Sequence, residues 1–327
     1  MYVRIRQNRR LGPSVLPAAS SYLDMFDQET LLPEIEHPAY GAIRVPDGRT
    51  LAWAEYGSTR GVPCILIPDL GSSRLAPAWL LHDSALPSAV RLLALDRPGI
   101  GASDPIDGGG QHDPAEDLRR LVDTLAVGRI AVIGIGHGVD DVFSFAGRYP
   151  RLVASVTAVS ARMPDPAPER RRLLHPFADR TPRPPAGMLG SWAAAAGGAD
   201  LTRESTWLTA IPRLAPESRA ALGERWREAD FRSAVATDLD QNFKPGSAQV
   251  RAAPSAGWLG NPPTDGVPVH LWHGQNEGTT TISDITSAVG NRPGWEVTGV
   301  AGPTAVLGIW GEILSTAASS FKTASAA

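Results

Sequence analysis

The chain of 327 residues has little cysteine and no long apolar run. Its single cysteine, Cys64, excludes an internal disulfide and a cysteine-rich zinc site, which favours a reducing, cytoplasmic location. No stretch approaches the roughly 18 to 20 consecutive apolar residues that a membrane-spanning helix needs. We therefore expect no membrane partner.

Charge of one sign is also scarce, because 31 basic residues face 34 acidic ones and the net charge is -3. Nucleic acids are bound through clustered basic side chains, and the sequence has no such block. We expect no nucleic-acid partner and take a hydrophobic small molecule as the partner. Lysine is limited to Lys244 and Lys322, and the excess of arginine is typical of GC-rich bacterial genomes.

Short apolar runs alternate with segments of helical periodicity along most of the chain. This alternation predicts a mostly parallel sheet flanked by helices, an α/β fold. After a hairpin at 42–45 and 50–56, the predicted strands are 64–67, 90–95, 130–135, 152–159, 267–272 and 295–300. The predicted helices are 73–86, 113–127, 137–149, 282–289 and 304–321.

The alternation is interrupted once, which suggests an inserted domain. Residues 41–162 and 264–327 are predicted to form the core, and residues 1–40 an N-terminal extension. Residues 163–263 are predicted to form a helical cap, because the segment holds amphipathic helices instead of strands. The cap helices are expected near 201–211, 216–228 and 231–243.

Four segments resemble the α/β-hydrolase superfamily, in particular its capped members such as proline iminopeptidases and epoxide hydrolases. They are LAWAEYG at 51–57, DRPGIGASD at 96–104, VIGIGHG at 132–138 and PVHLWHG at 268–274. The third resembles the nucleophile elbow G-x-S-x-G, which lies between a strand and a helix. The resemblance implies an α/β-hydrolase fold with an inserted helical cap.

The glycines at 134–138 also allow a second interpretation, a dinucleotide-binding turn. That motif needs a third glycine at position 139, which is Val139, and an acidic residue at the end of the next strand, which 152–160 lacks. No histidine or cysteine spacing indicates a metal site. We predict neither a cofactor nor a metal.

The resemblance also shows where the family's catalytic triad is degenerate. Gly136 lies where the nucleophile belongs, Pro303 where the histidine belongs, and only Glu277 keeps the acid position. Where the family commonly has His-Gly before its oxyanion loop, this chain has Pro68-Asp69-Leu70-Gly71, which places a carboxylate beside the expected pocket. Hydrolysis through a serine is therefore not expected, although an oxyanion-type site of backbone N–H groups can survive.

Three residues are candidate catalytic groups, and each has a purely structural alternative. Asp69 is a candidate acid or base whose pKa an apolar pocket would raise, or a turn aspartate that caps N–H groups. His137 can pair with Asp141 one helical turn later, or simply be buried and hydrogen-bonded. Glu277 is either a pocket carboxylate or a solvated one.

Other positions are expected to shape the pocket or the fold. Leu70, Gly136, Pro303 and Asp141 are expected at the pocket, with Trp258 at its mouth. For the other tryptophans of the predicted cap, ordinary helix packing is the safer interpretation. Asp96 and Asp104 are interpreted as structural, and His273, His270 and His175 as core or surface residues.

The sequence thus favours a non-hydrolytic enzyme of cyclase, isomerase or lyase type that confines a hydrophobic small molecule, in bacterial secondary metabolism. Asp69, His137 or Glu277 would act as acid or base. The alternative is an inactive pseudo-hydrolase that binds a ligand or protein partner. A residual ester or amide hydrolase would require a catalytic set at other positions.

Overall fold

The computed structural model describes residues 3–5, 38–106, 113–163, 187–241, 262–263, 266–277, 280–301 and 307–326. Within these ranges, nine strands form one sheet in the order β1-β2-β3-β5-β4-β6-β7-β8-β11, and a two-stranded hairpin, β9 and β10, lies apart. The sheet strands are β1 (Val3–Ile5), β2 (Ala39–Arg44), β3 (Thr50–Gly57), β4 (Val62–Ile67), β5 (Val90–Leu95), β6 (Ile130–Ile135), β7 (Val153–Val159), β8 (Val269–Gly274) and β11 (Trp295–Val300). The hairpin consists of β9 (Asn276–Glu277) and β10 (Thr280–Thr281).

The sheet is antiparallel at one end and parallel from β5 to β11. The strands β1, β2, β3 and β5 pair antiparallel, and every later neighbour pairs parallel. The strands β6 and β7 are buried along their whole length, as expected of parallel strands covered on both faces. The predicted mostly parallel sheet flanked by helices is confirmed.

Nine α-helices lie within the described ranges. They are α1 (Pro77–Leu80), α2 (Pro114–Leu125), α3 (Gly138–Arg148), α4 (Gly187–Ala196), α5 (Glu204–Ala210), α6 (Pro216–Leu222), α7 (Ala229–Asp240), α8 (Ile282–Val289) and α9 (Trp310–Ala326). The helix α2 begins as predicted, because the Asp113 side chain accepts the Ala115 N–H and Pro114 is the first helical residue. None of these helices has the length and hydropathy to cross a membrane.

Four helices, α4 to α7, lie between β7 and β8, within the range predicted to form a cap. Their aromatic side chains pack on one another: the Trp192 ring meets Trp207 edge to face at 5.6 Å and lies 6.0 Å from Phe231. This cluster belongs to the same core as residues of β4, β5 and β6. The division into extension, core and cap remains a prediction.

Three helices differ from the sequence prediction. The helix predicted at 73–86 is reduced to α1, because the residues on both sides form turns with i,i+3 hydrogen bonds, such as that from the Ala76 N–H to the Ser73 carbonyl and that from the Ser84 N–H to the Leu81 carbonyl. The helix α4 was not predicted, because it follows a proline-rich segment and lacks polar periodicity. The last helix begins at Trp310, later than the predicted residue 304.

Candidate functional site

A cavity of about 320 Å³ opens at the carboxyl ends of β4, β6, β7 and β8. Ligands of open α/β sheets commonly bind at this edge. Most polar groups on its wall come from the loops that follow these strands, whereas Glu217 comes from α6 and apolar groups come from α1 and α4. The residues used below are Asp69, Leu70, Trp79, Leu80, Gly136, Ser160, Arg162, Leu189, Glu217, His273, Glu277 and Thr280.

The elbow between β6 and α3 has no side chain at its apex. Gly136 has a φ of +54°, a left-handed conformation that costs little only for glycine. A Cβ at this position would lie 2.5 Å from Cγ and Oδ1 of Asp69. The Asp69 carboxylate therefore occupies the space that the side chain of a serine at position 136 would need.

The same carboxylate also accepts hydrogen bonds from the backbone N–H groups next to the elbow. Its Oδ1 accepts the N–H of His137 at 3.0 Å, the N–H of Leu70 at 2.8 Å and, at 2.8 Å, a hydrogen bond from Nδ1 of His137. In G-x-S-x-G enzymes the N–H after the nucleophile and one from the loop after an earlier strand form the oxyanion hole. The expectation that an oxyanion-type site survives is wrong, because Asp69 fills it.

The prediction that the pocket raises the pKa of Asp69 is also wrong. Burial opposes ionisation of this carboxyl group, but the hydrogen bonds from His137 and Leu70 and the charge of His137 outweigh it. The pKa of Asp69 is therefore below its ordinary value. At neutral pH Asp69 is an ionised carboxylate, which can accept a proton but has none to donate until it has done so.

The predicted pairing of His137 with Asp141 is not formed. His137 Nδ1 bonds to Asp69, whereas Asp141 Oδ2 lies 3.0 Å from a guanidinium nitrogen of Arg97. The loop after β4 passes over the N-terminus of α3 and brings Asp69 to His137. Asp141, one turn into α3, lies beside the loop after β5 that carries Arg97.

A histidine other than His137 lies on the cavity wall, although the sequence indicated only a core or surface role for it. His273, at the end of β8, is 1% exposed, and its Nε2 donates to the Thr280 carbonyl at 3.2 Å. Its Nδ1 lies 3.7 Å from Oε2 of Glu277 and has no hydrogen-bond partner among the described residues. Glu277 Oε2 accepts the Gly274 N–H at 3.1 Å. The return of the β9-β10 hairpin onto β8 creates this arrangement, which residue spacing alone does not indicate.

Ser160 is a further wall residue that the sequence did not indicate. It follows β7 with a φ of +55°, which is uncommon for a residue with a side chain. Its N–H donates to the Trp272 carbonyl at 2.8 Å, so it lies beside the end of β8. Its Oγ is buried and has no hydrogen-bond partner in the described part of the chain.

The rim of the cavity is tied to the predicted cap through Asp238 of α7. The Asp238 Oδ1 accepts the N–H of Ser73 at 2.7 Å and its hydroxyl at 2.5 Å, and Oδ2 accepts the Trp79 indole N–H at 2.8 Å. Burial raises the pKa of Asp238 to about 6, against the opposing effect of these hydrogen bonds. Asp238 thus fixes both the loop after β4 and the tryptophan on the wall.

The remaining predicted site residues divide into three groups. Leu70, Gly136 and Glu277 lie on the cavity wall, whereas Asp141 does not. Pro303 and Trp258 lie outside the described residues. Asp96 is fully buried against Arg74 and the Ala102 N–H, which matches its interpretation as structural. No group of three or more His, Cys, Asp or Glu side chains within the described ranges is arranged to hold a metal ion.

Comparisons with known proteins give partial sequence matches and extensive structural ones. The chain is 30% identical over 115 residues to a dihydrolipoyllysine-residue acetyltransferase component of the acetoin cleaving system from Pseudomonas putida, covering 35% of this chain and 30% of that protein. It is 29% identical over 135 residues to a probable proline iminopeptidase from Streptomyces coelicolor, covering 39% of this chain and 41% of that protein. The matches thus span less than half the length of these curated relatives. No protein-family model matches the sequence.

Among solved structures, the esterase RhEst1 from Rhodococcus superimposes with a TM-score of 0.58 at 17% identity, covering 86% of this chain and 98% of that one. At this identity the superposition shows the fold. It agrees with the elbow, the strand order and the partial sequence matches described above. The chain therefore has the α/β-hydrolase fold, and its resemblance to that superfamily is confirmed.

Proposed function

We propose that the chain is a non-hydrolytic enzyme, of cyclase, isomerase or lyase type, that confines a hydrophobic small molecule in the cavity beside Asp69. One observation carries the proposal. The Asp69 carboxylate occupies both the space of a serine side chain at position 136 and the N–H groups of the oxyanion hole. The relatives and structural neighbours named above are enzymes, which supports enzymatic activity, although their names do not indicate this reaction type.

Ester or amide hydrolysis requires a nucleophile and donors for the oxyanion. The elbow offers neither. Ser160, His273 and Glu277 provide the residue types of a relocated triad, but Nε2 of His273 is held by the Thr280 carbonyl. A residual hydrolase is therefore the weaker proposal.

Asp69 can instead accept a proton or stabilise positive charge. Its Oδ1 holds three hydrogen bonds, whereas Oδ2 accepts none from the described residues. In an isomerisation or cyclisation, Oδ2 takes a proton from one atom of the bound molecule, and the released electron pair forms a new bond within that molecule. Asp69 then returns the proton to another atom, so the reaction balances without water or a cofactor.

Confinement supplies the other part of the rate enhancement. Trp79, Leu80 and Leu189 are nearly fully buried and line the cavity, so they hold an apolar molecule in few conformations. Positioning of reacting groups can contribute several kcal/mol to a unimolecular reaction whose barrier is largely entropic. The arginine-rich composition supports a role in bacterial secondary metabolism, and the lone Cys64 supports a cytoplasmic location.

A pseudo-hydrolase that binds a ligand or protein partner without turnover is the second candidate. The observation in its favour is that Asp69 Oδ1 is already satisfied by three donors, so the elbow is stable without a substrate. The two candidate functions differ in whether a bound molecule is chemically converted.

The deciding experiment incubates small molecules with the wild-type protein and with Asp69→Asn. The small molecules are those that co-purify with the protein, or those in extracts of a bacterium that makes the protein. A cyclase or isomerase yields a product of unchanged mass by mass spectrometry, and a lyase yields fragments. We expect Asp69→Asn to lose product formation about 100-fold or more, the usual contribution of a proton-transfer group. Asp123→Asn, which removes a carboxylate from the exposed face of α2, is the control and should keep full activity.

Hydrolysis is tested on the same preparations with p-nitrophenyl acetate and a fluorophosphonate probe. Turnover of the ester together with labelling of Ser160 would overturn the proposal in favour of a relocated triad. Bound molecules that stay unchanged with wild type would favour the pseudo-hydrolase.

A further inference from the structure

The groups on the cavity wall that lack partners are acceptors of hydrogen bonds. Asp69 is ionised, and its Oδ2 accepts no bond from the described residues, although the side chain is 18% exposed. A carboxylate oxygen has no proton to donate, so only a donor can satisfy it.

His273 and Ser160 add two buried atoms of the same wall. Because Nε2 of His273 lies against a carbonyl oxygen, which only accepts, Nε2 carries a proton, and in the neutral tautomer the lone pair is on Nδ1. Neither Nδ1 nor Ser160 Oγ has a hydrogen-bond partner in the described ranges. Leaving polar atoms buried without partners is costly, and such atoms usually mark a water or a ligand.

The two residues are neighbours in the sheet. The register pairs Val159 of β7 with Trp272 of β8, so Ser160 and His273 come next on the two strands. Both side chains are more than nine-tenths buried and both line the cavity. A single donor-bearing group at this point of the wall can satisfy both atoms, because the serine hydroxyl can accept or donate.

An anionic ligand has little to bind here. The N–H groups of His137 and Leu70, the donors nearest the elbow, already bond to Asp69. Arg162 is the one lysine or arginine among the described lining residues, and it is exposed, whereas Asp69, Glu217 and Glu277 contribute three carboxylates. Like charges in a partly desolvated site repel strongly.

We infer that the cavity selects a molecule whose polar end donates hydrogen bonds, a protonated amine before an alcohol, and whose body is apolar. The inference rests on the proposed function in one respect, namely that the substrate binds in this cavity. The donor group meets Asp69 Oδ2 and the Ser160-His273 pair, and the apolar body packs on Trp79, Leu80 and Leu189. A carboxylate of the same shape is excluded.

The test compares three probes of nearly equal shape, phenethylamine, phenethyl alcohol and phenylacetate, by isothermal titration calorimetry with the full chain at pH 7. We expect the amine to bind about tenfold more tightly than the alcohol, the ratio expected when a charge-assisted hydrogen bond replaces a neutral one. Phenylacetate should not bind measurably. Equal or tighter binding of phenylacetate would overturn the inference, as would the absence of binding by all three probes.

Two variants locate the contacts, each with a matched control. Asp69→Asn should remove most of the preference for amine over alcohol, whereas Asp123→Asn should leave it unchanged. Ser160→Ala should weaken both the amine and the alcohol several-fold. Its control is Ser155→Ala, which removes a buried hydroxyl, also without a partner among the described residues, from the same strand but away from the cavity wall.

The outcomes separate this inference from the proposed function. If the amine binds best but no chemical change is found in any bound molecule, the ligand class is correct and the enzyme proposal fails. If isomeric products form from carboxylates and phenylacetate binds best, the reaction class holds and the ligand inference fails. Loss of amine preference in Asp123→Asn as well as Asp69→Asn would mean that overall charge, and not the cavity wall, selects the ligand.

Discussion

The segment that follows β4 is held at each end by a largely buried carboxylate, yet the pKa values of the two carboxylates are shifted in opposite directions. At the elbow end, Asp69 accepts donors from His137 and Leu70 and its pKa falls. At the end near the predicted cap, Asp238 accepts hydrogen bonds from the neutral donors of Ser72, Ser73 and Trp79, and burial raises its pKa to about 6. The comparison shows that the hydrogen bonds to Asp238 do not offset burial, whereas the hydrogen bonds to Asp69 together with its electrostatic interaction with His137 do.

The two ends also depend on pH in opposite senses. Asp69 contributes stability above the ordinary aspartate pKa, and this contribution is lost as pH falls through its lower folded pKa. Asp238 opposes folding while it is ionised, so its cost disappears as pH falls from about 6 toward the ordinary aspartate value. As the pH falls, the end near the predicted cap therefore becomes more stable before the elbow end becomes less stable.

The largest expected effect comes from restoring a side chain at the elbow. Gly136→Ser meets Asp69 and adopts a left-handed conformation, so we expect a loss of about 3 to 5 kcal/mol in the free energy of unfolding, measured by urea denaturation. In an Asp69→Gly background the same substitution should cost about 1 to 2 kcal/mol, because only backbone strain remains. Gly128→Ser, where a Cβ meets nothing within 4 Å, is the control. Equal costs in both backgrounds would show that the carboxylate does not occupy the elbow.

The next effect concerns the end near the predicted cap. Wild type should gain about 2 kcal/mol of stability from Asp238 between pH 7 and pH 4.5, and Asp238→Asn should lack this gain. The measurement is urea denaturation of both proteins across this range. Asp240→Asn, which removes an exposed carboxylate of the same helix, should follow wild type. Parallel curves for wild type and Asp238→Asn would contradict the raised pKa.

The smallest effect distinguishes the two carboxylates near His137. His137→Ala removes the Nδ1 donor, so the pKa of Asp69 should rise toward its ordinary value, as followed by NMR of its carboxyl carbon. Asp141→Asn breaks only the pair with Arg97, should cost less than about 1 kcal/mol and should leave the titration of Asp69 unchanged. A change in the pKa of Asp69 in Asp141→Asn would instead support the pair of His137 and Asp141 that helical spacing predicts.

Much of the fold was predictable because its signals are local. Apolar runs such as those of β5 and β6 gave strand bounds that agree with the structure, and Asp113-Pro114 marked the start of α2. The helix expected at 73–86 is shorter in the structure, where the segment is fixed by tertiary contacts such as the hydrogen bond from the Ser73 N–H to Asp238, 165 positions away. Periodicity contains no information about such a distant partner.

The site was predictable in its positions but not in its contacts. Resemblance placed Asp69, Gly136 and Glu277 at the pocket, and all three line the cavity. The partner of His137 was wrong because helical spacing favours Asp141, whereas the loop after β4 supplies a closer carboxylate. Ser160 and His273 could not be found, because only sheet register brings the ends of β7 and β8 together.

The occupied oxyanion hole also limits how this sequence can change. A serine gained at position 136 alone meets the Asp69 carboxylate, and loss of that carboxylate alone leaves backbone donors without a nucleophile. Neither single substitution gives an ester hydrolase. A mutational path to an ester hydrolase must therefore pass through a sequence that has lost the present arrangement of Asp69 and Gly136 without having gained a hydrolytic site. Directed evolution toward esterase activity should therefore require libraries that vary positions 69 and 136 together.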